Sequence, residues 1–518
     1  GASIFASNIG SEHLIGLAGA GASSGMAMAH WEIQGWMILI LGWVFVPFYT
    51  RSMVYTMPEF LERRYNPQSR TILSVISLVS YVLTKVAVTV YAGGLVFQQV
   101  FGIKELWGID FFWIAAIGLV VLTALYTIFG GMKSVLYTSV LQTPILLLGS
   151  LIILVLGFKE LGGWDEMMRV CGAVTVNDYG DTMTNLIRSN DDANFPWLGA
   201  LIGSAIIGFW YWCTDQFIVQ RVLSGKNEME ARRGTIFGAY LKLLPVFLFL
   251  IPGMIAFALH QKYIGAGGEG FLPMLANGTA NADAAFPTLV AKLLPAGVKG
   301  LVVCGILAAL MSSLASLFNS SAMLFTIDFY KRFKPETPEK KLVGIGQIAT
   351  IVIVVLGILW IPIMRSVGDV LYTYLQDVQS VLAPGIAAAF LLGICWKRTS
   401  AQGGMWGLIS GMVIGLTRLG AKVYYSNAGE VADSTFKYLF YDMNWLFFCG
   451  WMFLFCIIVV IVVSLATEAP TAEKIQGLVF GTATKEQKAS TRASWNHWDI
   501  IHTVIILAIT GAFYWYFW

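Results

Sequence analysis

The sequence predicts an all-α polytopic membrane protein built from two inverted five-helix repeats with additional peripheral helices. Of its 518 residues, 57% are hydrophobic and 12% are charged, whereas a soluble chain carries about twice that share of charge. Apolar runs long enough to span about 30 Å of hydrocarbon recur along the chain, and the leading run of each five-helix block has a polar centre. About thirteen spans are expected, and the first is truncated because the chain opens inside a hydrophobic segment. The spans cover residues 1–25, 27–50, 70–100, 110–131, 133–158, 196–222, 234–260, 299–328, 340–364, 368–395, 402–425, 443–467 and 498–518.

The opening stretch, residues 1–25, is apolar but unusually rich in Gly, Ala and Ser, and it carries a polar run from Asn8 to His13. Glycine weakens a helix, and Ser and Asn side chains offer the backbone competing hydrogen bonds. We therefore predict a membrane helix that unwinds near Asn8–Gly10, as do the broken helices that hold ions and substrates in transporters. On these residues alone, a small-residue face for helix packing remains an equal alternative.

Charge in the connecting loops predicts the orientation. Basic residues cluster after the second, sixth, eighth and tenth spans, whereas loop 160–195 carries mostly acidic residues. Because cytoplasmic loops are enriched in Lys and Arg, loop 160–195 is expected outside and the opening helix starts inside. The net charge of +3 gives no indication of a nucleic-acid partner. The six cysteines fall mostly within apolar segments, which does not support a disulfide framework.

The repeat predicts the architecture more strongly than the span count does. Spans one to five and six to ten form two blocks, and an odd number of spans forces the second block to run inverted. Their leading helices are interrupted by Asn8–His13 and by Tyr211–Gln216 (YWCTDQ), which is the LeuT-type plan. A channel is the alternative, although channels usually lack such a repeat. The expected divisions are a first repeat with a broken, truncated first helix (1–159), an external loop (160–195), the second repeat (196–396) and peripheral transmembrane helices (397–518).

Small oxygen-bearing residues in the eighth span suit a sodium ion. Ala309, Ser312 and Ser313 are spaced by three and four and therefore share a helical face. Sodium is hard and oxygen-seeking, so carbonyls freed in the opening helix, at Ala6 and Ile9, would complete a shell. The alternative is that the serine hydroxyls bond back to their own helix.

Ionisable residues within the spans need partners or a wet cavity. Glu32, Asp215 and Lys242 each cost at least ~2.5 kcal/mol near the bilayer centre. Together with amide, imidazole and aromatic side chains at similar depth, they suit a neutral polyol, which is held by directed hydrogen bonds and an aromatic face. A structural ion-pair network, Lys242 with Glu32 or Asp215 with Arg221, is the alternative. The additional candidates are His13, Gln34, Gln376, Asp377, Trp31, Tyr211, Trp212, Tyr372 and Tyr374.

Four motifs in order, FASNIGSEHLIGLAGAGASSG, TMPEFLERRY, YWCTDQFIVQR and ALMSSLASLFNSSAMLFTIDFY, resemble the solute:sodium symporter family, in particular its sodium/glucose cotransporter branch. The resemblance implies sodium-coupled symport of a neutral hexose, glucose or galactose, by alternating access. It implies Na⁺, a hexose and the lipid bilayer as partners, a functional monomer and no enzymatic activity. The short segment 468–497 favours a bacterial member located in the inner, plasma membrane.

The resemblance also implies site residues. Sodium would be held by the carbonyls of Ala6, Ile9 and Ala309 and by the hydroxyls of Ser312 and Ser313. The sugar would contact Asn8, His13, Glu32, Lys242 and Gln376. Tyr211 would stack beneath the sugar as the inner gate with Trp212 beside it, while Leu17, Trp31 and Tyr372 would close the outer side.

Three departures from the family pattern affect these expectations. Gly208 stands where relatives carry a hydrogen-bonding side chain, which loosens one wall of the pocket. Ser139 replaces an Asp, and Ala315 replaces a Thr, at positions that line the second site of two-sodium relatives. One sodium per sugar is therefore expected. The alternatives are a sodium-coupled carrier of myo-inositol, another polyol or a sugar acid such as sialic acid, and a sugar-binding sensor without coupled transport.

Overall fold

The computed structural model describes residues 1, 4–5, 8–10, 12–54, 56–275, 278–367, 370–428 and 432–518, with side chains described there except at 126, 128–143 and 365–367. The α-helices are α1 (Ala18–Ser24), α2 (Ala29–Glu32), α3 (Gly35–Ile40), α4 (Val46–Ser52), α5 (Met57–Arg64), α6 (Pro67–Ser80), α7 (Ala87–Phe101), α8 (Phe111–Leu161), α9 (Trp164–Gly172), α10 (Trp197–Gly208), α11 (Gln216–Leu223), α12 (Glu228–Lys242), α13 (Ile251–Gly265), α14 (Ala285–Leu293), α15 (Ala296–Met323), α16 (Lys331–Phe333), α17 (Glu339–Val367), α18 (Leu371–Cys395), α19 (Ala401–Asn427), α20 (Thr435–Lys437), α21 (Trp445–Ala466), α22 (Ala472–Ile475), α23 (Lys485–Ala493) and α24 (His497–Tyr516). Wider π-helical turns cover Glu12–Leu17, Leu41–Phe45, Tyr81–Val86, Phe209–Thr214, Val246–Leu250, Leu324–Tyr330 and Tyr438–Asp442, and 3₁₀ turns cover Gly25–Met28 and Ala282–Ala284. Two short antiparallel strands, β1 (Glu105–Leu106) and β2 (Ile109–Asp110), precede α8.

Within the described residues, ten helical stretches are long and apolar enough to cross a bilayer. The first two predicted spans run together as one stretch, His13–Ser52. The fourth and fifth lie in the single 51-residue helix α8, so the predicted break near residue 132 is wrong. The sequence there offers no Pro before Pro144, which leaves the backbone free to continue as a helix.

The opening segment is interrupted at Ile9 and Gly10, which form a bend between two helical pieces. Ile9 N–H still donates to the carbonyl of Phe5, whereas Gly10 N–H turns back to the carbonyl of Asn8, two residues away. The regular ladder of i to i−4 hydrogen bonds therefore stops here, as the competing polar side chains and the glycine led us to expect.

Glycines bring the second half of the opening helix against α13. A Cβ at Gly21 would lie 2.2 Å from the Leu250 carbonyl oxygen, and one at Gly253 would lie 2.0 Å from that of Ala18. The two backbones are therefore in direct contact, as in small-residue packing of membrane helices. Sequence reasoning offered the broken helix and the packing face as alternatives, and the structure contains both, in successive parts of the segment.

Two further interruptions follow. The helical run breaks at Ile33–Gln34, between α2 and α3. The π-helical turn Phe209–Thr214 ends at Asp215, whose backbone is extended (φ −77°, ψ 126°) before α11 begins. π-Helical turns often accompany functional sites, and residues from all three interrupted segments meet at one cavity.

The core surrounds α18. In its most apolar stretch 83% of the residues are buried, compared with 33% in α21 and 17% in α24. Gly385 of α18 packs backbone to backbone against Gly411 of α19, since a Cβ on Gly385 would lie 2.9 Å from the Cα of Gly411. The last helices therefore lie at the periphery of the described bundle, with most of their apolar surface left for lipid.

Charged loops separate the two faces of the bundle. Arg51 donates to Thr491 and Arg232 to Ser494, so the basic loops lie against segment 468–497. On the opposite face, loop 160–195 docks on the end of the opening helix through Met26 N–H and the Met183 carbonyl. We call the face with loop 160–195 the outer side and the other the inner side, following the charge bias.

Candidate functional site

A central cavity lies between the interrupted segments. The cavity brings together six of the seven predicted substrate residues, including the predicted inner gate Tyr211, and two of the three predicted outer gate residues. Its lining residues are Asn8, His13, Trp31, Gln34, Ile207, Gly208, Tyr211, Trp212, Lys242, Tyr372, Leu375, Gln376 and Gln379.

Glu32 lies behind this lining and is fully buried. Its carboxylate accepts hydrogen bonds from Lys242 Nζ at 2.6 Å, from the Tyr372 hydroxyl at 2.6 Å and from His13 Nε2 at 3.2 Å. A buried carboxylate requires such partners, because an unpaired charge away from water costs several kcal/mol. Glu32 therefore ties three lining side chains together instead of facing the cavity itself.

The contact with Glu32 sets the proton position on His13. Nε2 lies 3.2 Å from the Glu32 carboxylate and 3.3 Å from the Asn8 amide nitrogen. A carboxylate only accepts hydrogen bonds, so the hydrogen on Nε2 is donated to Glu32, and the Asn8 amide then satisfies Nε2 only with its oxygen turned toward the ring. The other ring nitrogen, Nδ1, is buried and has no hydrogen-bond partner among the described residues. In the neutral ring, Nδ1 is an acceptor that a substrate hydroxyl can satisfy.

Two more lining side chains carry buried polar atoms that have no hydrogen-bond partner among the described residues. These atoms are Trp31 Nε1, a donor, and Gln376 Oε1, an acceptor. Leaving a buried polar atom unpaired costs ~1–3 kcal/mol, so each favours a ligand that supplies the missing hydrogen bond. A donor and two acceptors around one cavity match a molecule with several hydroxyl groups.

The three residues predicted to close the outer side of the cavity are all buried. Leu17, Trp31 and Tyr372 are each less than 5% exposed. Trp31 stacks on Trp445 of α21 with 5.5 Å between ring centroids, which anchors it to a peripheral helix. Leu17 is fully buried near the outer end of the opening helix but does not line the cavity.

Asp283, in the 3₁₀ turn Ala282–Ala284, is hydrogen-bonded to the start of α18. Its carboxylate accepts from the Leu371 backbone N–H, with distances of 3.2 and 3.3 Å to its two oxygens. It also lies against Gly19, where a Cβ would sit 2.6 Å from Oδ1. Burial raises the pKa of Asp283 to about 7, and the hydrogen bond from Leu371 opposes that rise only in part.

On the inner side of the cavity, a second buried ion pair joins Lys85 and Asp215 at 2.7 Å. Tyr81 also donates to Asp215, at 2.9 Å, and Lys85 Nζ lies 4.9 Å from the ring centroid of Tyr211. Of the two ion pairs that the sequence offered as an alternative, Lys242 with Glu32 is present, whereas Asp215 pairs with Lys85 and Arg221 donates to Ser316. Asp215 lies before α11 and Arg221 in its last turn, so the helix itself separates them.

The predicted sodium face lies on α15. Ala309, Ser312 and Ser313 are buried there. Ser316 and Ser320 bond back to carbonyls of their own helix, whereas Ser313 Oγ is buried without a partner among the described residues. Such an unpaired oxygen suits a hard cation. Ile9 lies at the bend of the opening segment, and Ala6 lies outside the described residues.

Sequence reasoning did not assign three lining residues to the site: Ile207, Leu375 and Gln379. Gln379 lies three residues after Gln376 and therefore on the same helical face, so that spacing could have identified it. Gln34 was a candidate by residue type alone: it lies two residues after Glu32, so in a regular helix its side chain would point away from that of Glu32 and helical periodicity gives no signal for it.

A model of the sodium:solute symporter family matches residues 1–411. The chain belongs to the sodium:solute symporter family. Human sodium/myo-inositol cotransporter 2 is 37% identical to this symporter over 495 residues, covering 93% of this chain and 72% of the relative. Sodium/glucose cotransporter 1 of Ovis aries is 38% identical over 486 residues, covering 90% and 72%.

A solved structure has the same fold as this symporter. A Na⁺-coupled sialic acid symporter in a substrate-bound outward-open state superposes with a TM-score of 0.67 at 21% identity, covering 91% of this chain and 90% of that one. The predicted family, LeuT-type fold and use of Na⁺ are therefore confirmed. The protein is a multi-pass, sodium-coupled solute symporter.

Proposed function

We propose that this symporter couples sodium entry to uptake of an uncharged hexose, glucose or galactose, by alternating access. The observation that carries the proposal is the set of sealed, unpartnered polar atoms around the central cavity, on His13, Trp31 and Gln376. A ligand that supplies both donors and acceptors at these atoms recovers the cost of leaving them unpaired.

The charge balance of the cavity favours a neutral cargo. Lys242 is the cation of the lining, and it already contacts the Glu32 carboxylate at 2.6 Å. A sugar acid would require a cation that is free to bind its carboxylate. Tyr211 and Trp212, packed edge to face at 5.1 Å between centroids, supply the aromatic surface on which a sugar ring stacks.

Sodium supplies the driving force in this proposal. Its ligands are the carbonyls of Ala6, Ile9 and Ala309 and the hydroxyls of Ser312 and Ser313, so that the ion bridges the interrupted opening helix and α15. Sodium binding then stabilises the outward-open arrangement and the backbone conformation to which the sugar binds. Coupling of this kind requires a difference of ~1–3 kcal/mol in affinity between the two states.

Uptake into proteoliposomes tests the proposal. An inward sodium gradient should drive accumulation of labelled glucose or galactose, and replacing sodium by choline should abolish it. Gln376→Ala should weaken sugar binding without unfolding the protein, because one unpaired acceptor is removed. Sugar uptake that is independent of sodium, or binding without uptake, would contradict coupled transport and favour a carrier or sensor of another kind.

A cyclitol is the second candidate. Its support is the similarity to sodium/myo-inositol cotransporters, of which the human relative is 37% identical. Both cargoes are six-membered rings bearing hydroxyl groups, but a cyclitol lacks the ring oxygen. Competition by myo-inositol, glucose, galactose and sialic acid against the same labelled substrate would rank the candidates.

The proposal includes a location. A multi-pass sodium symporter that collects a sugar from outside belongs in the plasma membrane. The short segment 468–497 supports a bacterial inner membrane. Fractionation of the native cells would test this.

A further inference from the structure

Gln34 and Gly208 face each other across one wall of the central cavity. In a regular helix, residues 32 and 34 would point about 200° apart. The break at Ile33–Gln34 instead lets Glu32 reach Lys242 while Gln34 lines the same cavity. The position of Gln34 therefore depends on this local break.

The orientation of the Gln34 amide follows from its neighbour. Nε2 donates to the backbone carbonyl of Ser204 at 2.7 Å. That carbonyl only accepts hydrogen bonds, so the nitrogen of the amide must face it and the oxygen must face away. Gln34 is 2% exposed, and no hydrogen bond to its Oε1 is found within the part of the chain that the structure describes.

Gly208 makes room for this oxygen. A Cβ at position 208 would lie 2.4 Å from Gln34 Oε1 and 2.9 Å from its Cδ. Atoms do not approach that closely in a packed interior, so any side chain at position 208 would displace the amide. The absence of a side chain at Gly208 and the position of the Gln34 amide therefore depend on each other.

We propose that Gln34 is a specificity-determining residue, whose amide oxygen accepts a hydrogen bond from one hydroxyl of the substrate in the space beside Gly208. This inference rests on the proposed transport of a polyhydroxylated ring. An acceptor held in this way binds a hydroxyl group. A deoxygenated carbon at the same position would leave the acceptor without a hydrogen bond, and a fluorine or a ring oxygen there would repel it. Sites that hydrogen-bond a hydroxyl discriminate strongly against analogues that lack it.

Monodeoxy and monodeoxyfluoro analogues of the best substrate provide the test, as competitors of sodium-driven uptake in proteoliposomes. At one ring position, both analogues should bind the unmodified protein at least about 10-fold more weakly than the parent substrate. Gln34→Met keeps the length of the side chain but removes its carbonyl. In this variant, both analogues should bind within about twofold of the parent substrate. The penalties at the other ring positions should remain.

Gly208→Ala is the second variant, because Gln34→Met leaves the Ser204 carbonyl without its donor and could impair folding. The added methyl group displaces the amide, so the same single penalty should disappear. Gly118→Ala is the matched control, since a Cβ there meets nothing within 4 Å, and it should keep every penalty.

Two outcomes separate the inference from the proposed function. If the unmodified protein takes up a polyol with sodium but every analogue penalty persists in Gln34→Met and Gly208→Ala, the role of Gln34 is overturned and the transport function stands. If no hexose or cyclitol is taken up with sodium by the unmodified protein or competes for uptake, the role of Gln34 and the proposed transport function are both overturned.

Discussion

At the scale of single residues, Glu32 connects three of the side chains that line the cavity. It accepts from Lys242, Tyr372 and His13, which come from three separate segments. These contacts occupy Lys242, place a hydrogen on Nε2 of His13 and hold Tyr372, the proposed outer gate residue, in position. A carboxylate that never touches the cavity thus determines how three lining residues are presented.

Lys242→Ala should lower the free energy of unfolding by about 3–5 kcal/mol, because it leaves a buried carboxylate without its cation. The double variant Glu32→Gln with Lys242→Met should cost less, since no charge is then stranded. Thermal unfolding in detergent measures both. Lys437→Ala, in an exposed pair with Asp433, is the control and should change stability by less than about 1 kcal/mol. Equal losses for Lys242→Ala and Lys437→Ala would contradict the role of the buried pair.

Ser313→Ala should raise the sodium concentration for half-maximal uptake about tenfold or more, because one unpaired oxygen of the proposed sodium site is lost. Ser410→Ala is the control, as the Ser410 hydroxyl bonds to the Gly407 carbonyl of its own helix. Uptake measured over a sodium series distinguishes the two variants. An unchanged sodium dependence in Ser313→Ala would remove this serine from the site.

At the scale of elements, the interruptions matter more than the regular helices. The bend at Ile9–Gly10, the break at Ile33–Gln34 and the extended Asp215 bring polar groups to the cavity. Their freed backbone groups are tolerated at membrane depth because protein surrounds them. The neighbouring regular parts, such as the contact of the opening helix with α13, hold these breaks in position.

Gly253→Ala should destabilise this contact, because the added methyl group would lie 2.0 Å from the Ala18 carbonyl oxygen. Overpacking of this kind costs about 1–3 kcal/mol, and we expect slower transport as well. Unfolding temperature and initial uptake rate are the measurements. Gly265→Ala in the same helix, where a Cβ meets nothing within 4 Å, should be neutral. A neutral Gly253→Ala would show that the two helices can separate freely.

The link between Asp283 and α18 should respond to pH. Burial raises the pKa of Asp283 to about 7, so the folded protein keeps this proton between about pH 4 and 7 while the unfolded chain has released it. The free energy of unfolding should therefore fall as pH rises across that interval. Asp283→Asn should lose this part of the pH dependence. Unfolding temperatures at pH 5 and pH 8 measure it, and identical profiles for the two proteins would contradict the assignment.

At the scale of the whole molecule, two buried ion pairs flank the cavity. Glu32 with Lys242 lies beside the proposed outer gate Tyr372, and Lys85 with Asp215 lies beside the proposed inner gate Tyr211. Opening either side must move helices that these pairs join. Because breaking a buried pair is costly, both pairs favour discrete states of the bundle over intermediate ones.

Transport of one sugar should move one positive charge, since Ser139 and Ala315 replace the Asp and Thr expected at a second sodium site. Ala315 is fully buried on α15, whereas the Ser139 side chain lies outside the described residues. Charge movement and labelled sugar uptake in the same vesicles measure the ratio. A ratio near two would contradict the prediction, and restoring Asp at position 139 together with Thr at 315 should raise it.

Much of this protein is determined by short-range information in the sequence. The hydrophobic runs, the polar interruptions of the opening segment and of Tyr211–Gln216, and the serine face of α15 are readable because periodicity and residue type act within a few positions. Six of the seven residues expected to bind the sugar line one cavity, and the family resemblance had indicated them together.

Only the tertiary structure decided which distant residues meet. Asp215 pairs with Lys85, 130 positions away, and not with the nearby Arg221. The Gln34 amide fills the space left by Gly208, although the sequence shows only a missing side chain there. The physical reason is that a membrane helix exposes many similar faces, and the choice of partner depends on packing and burial across the bundle, which no local pattern contains.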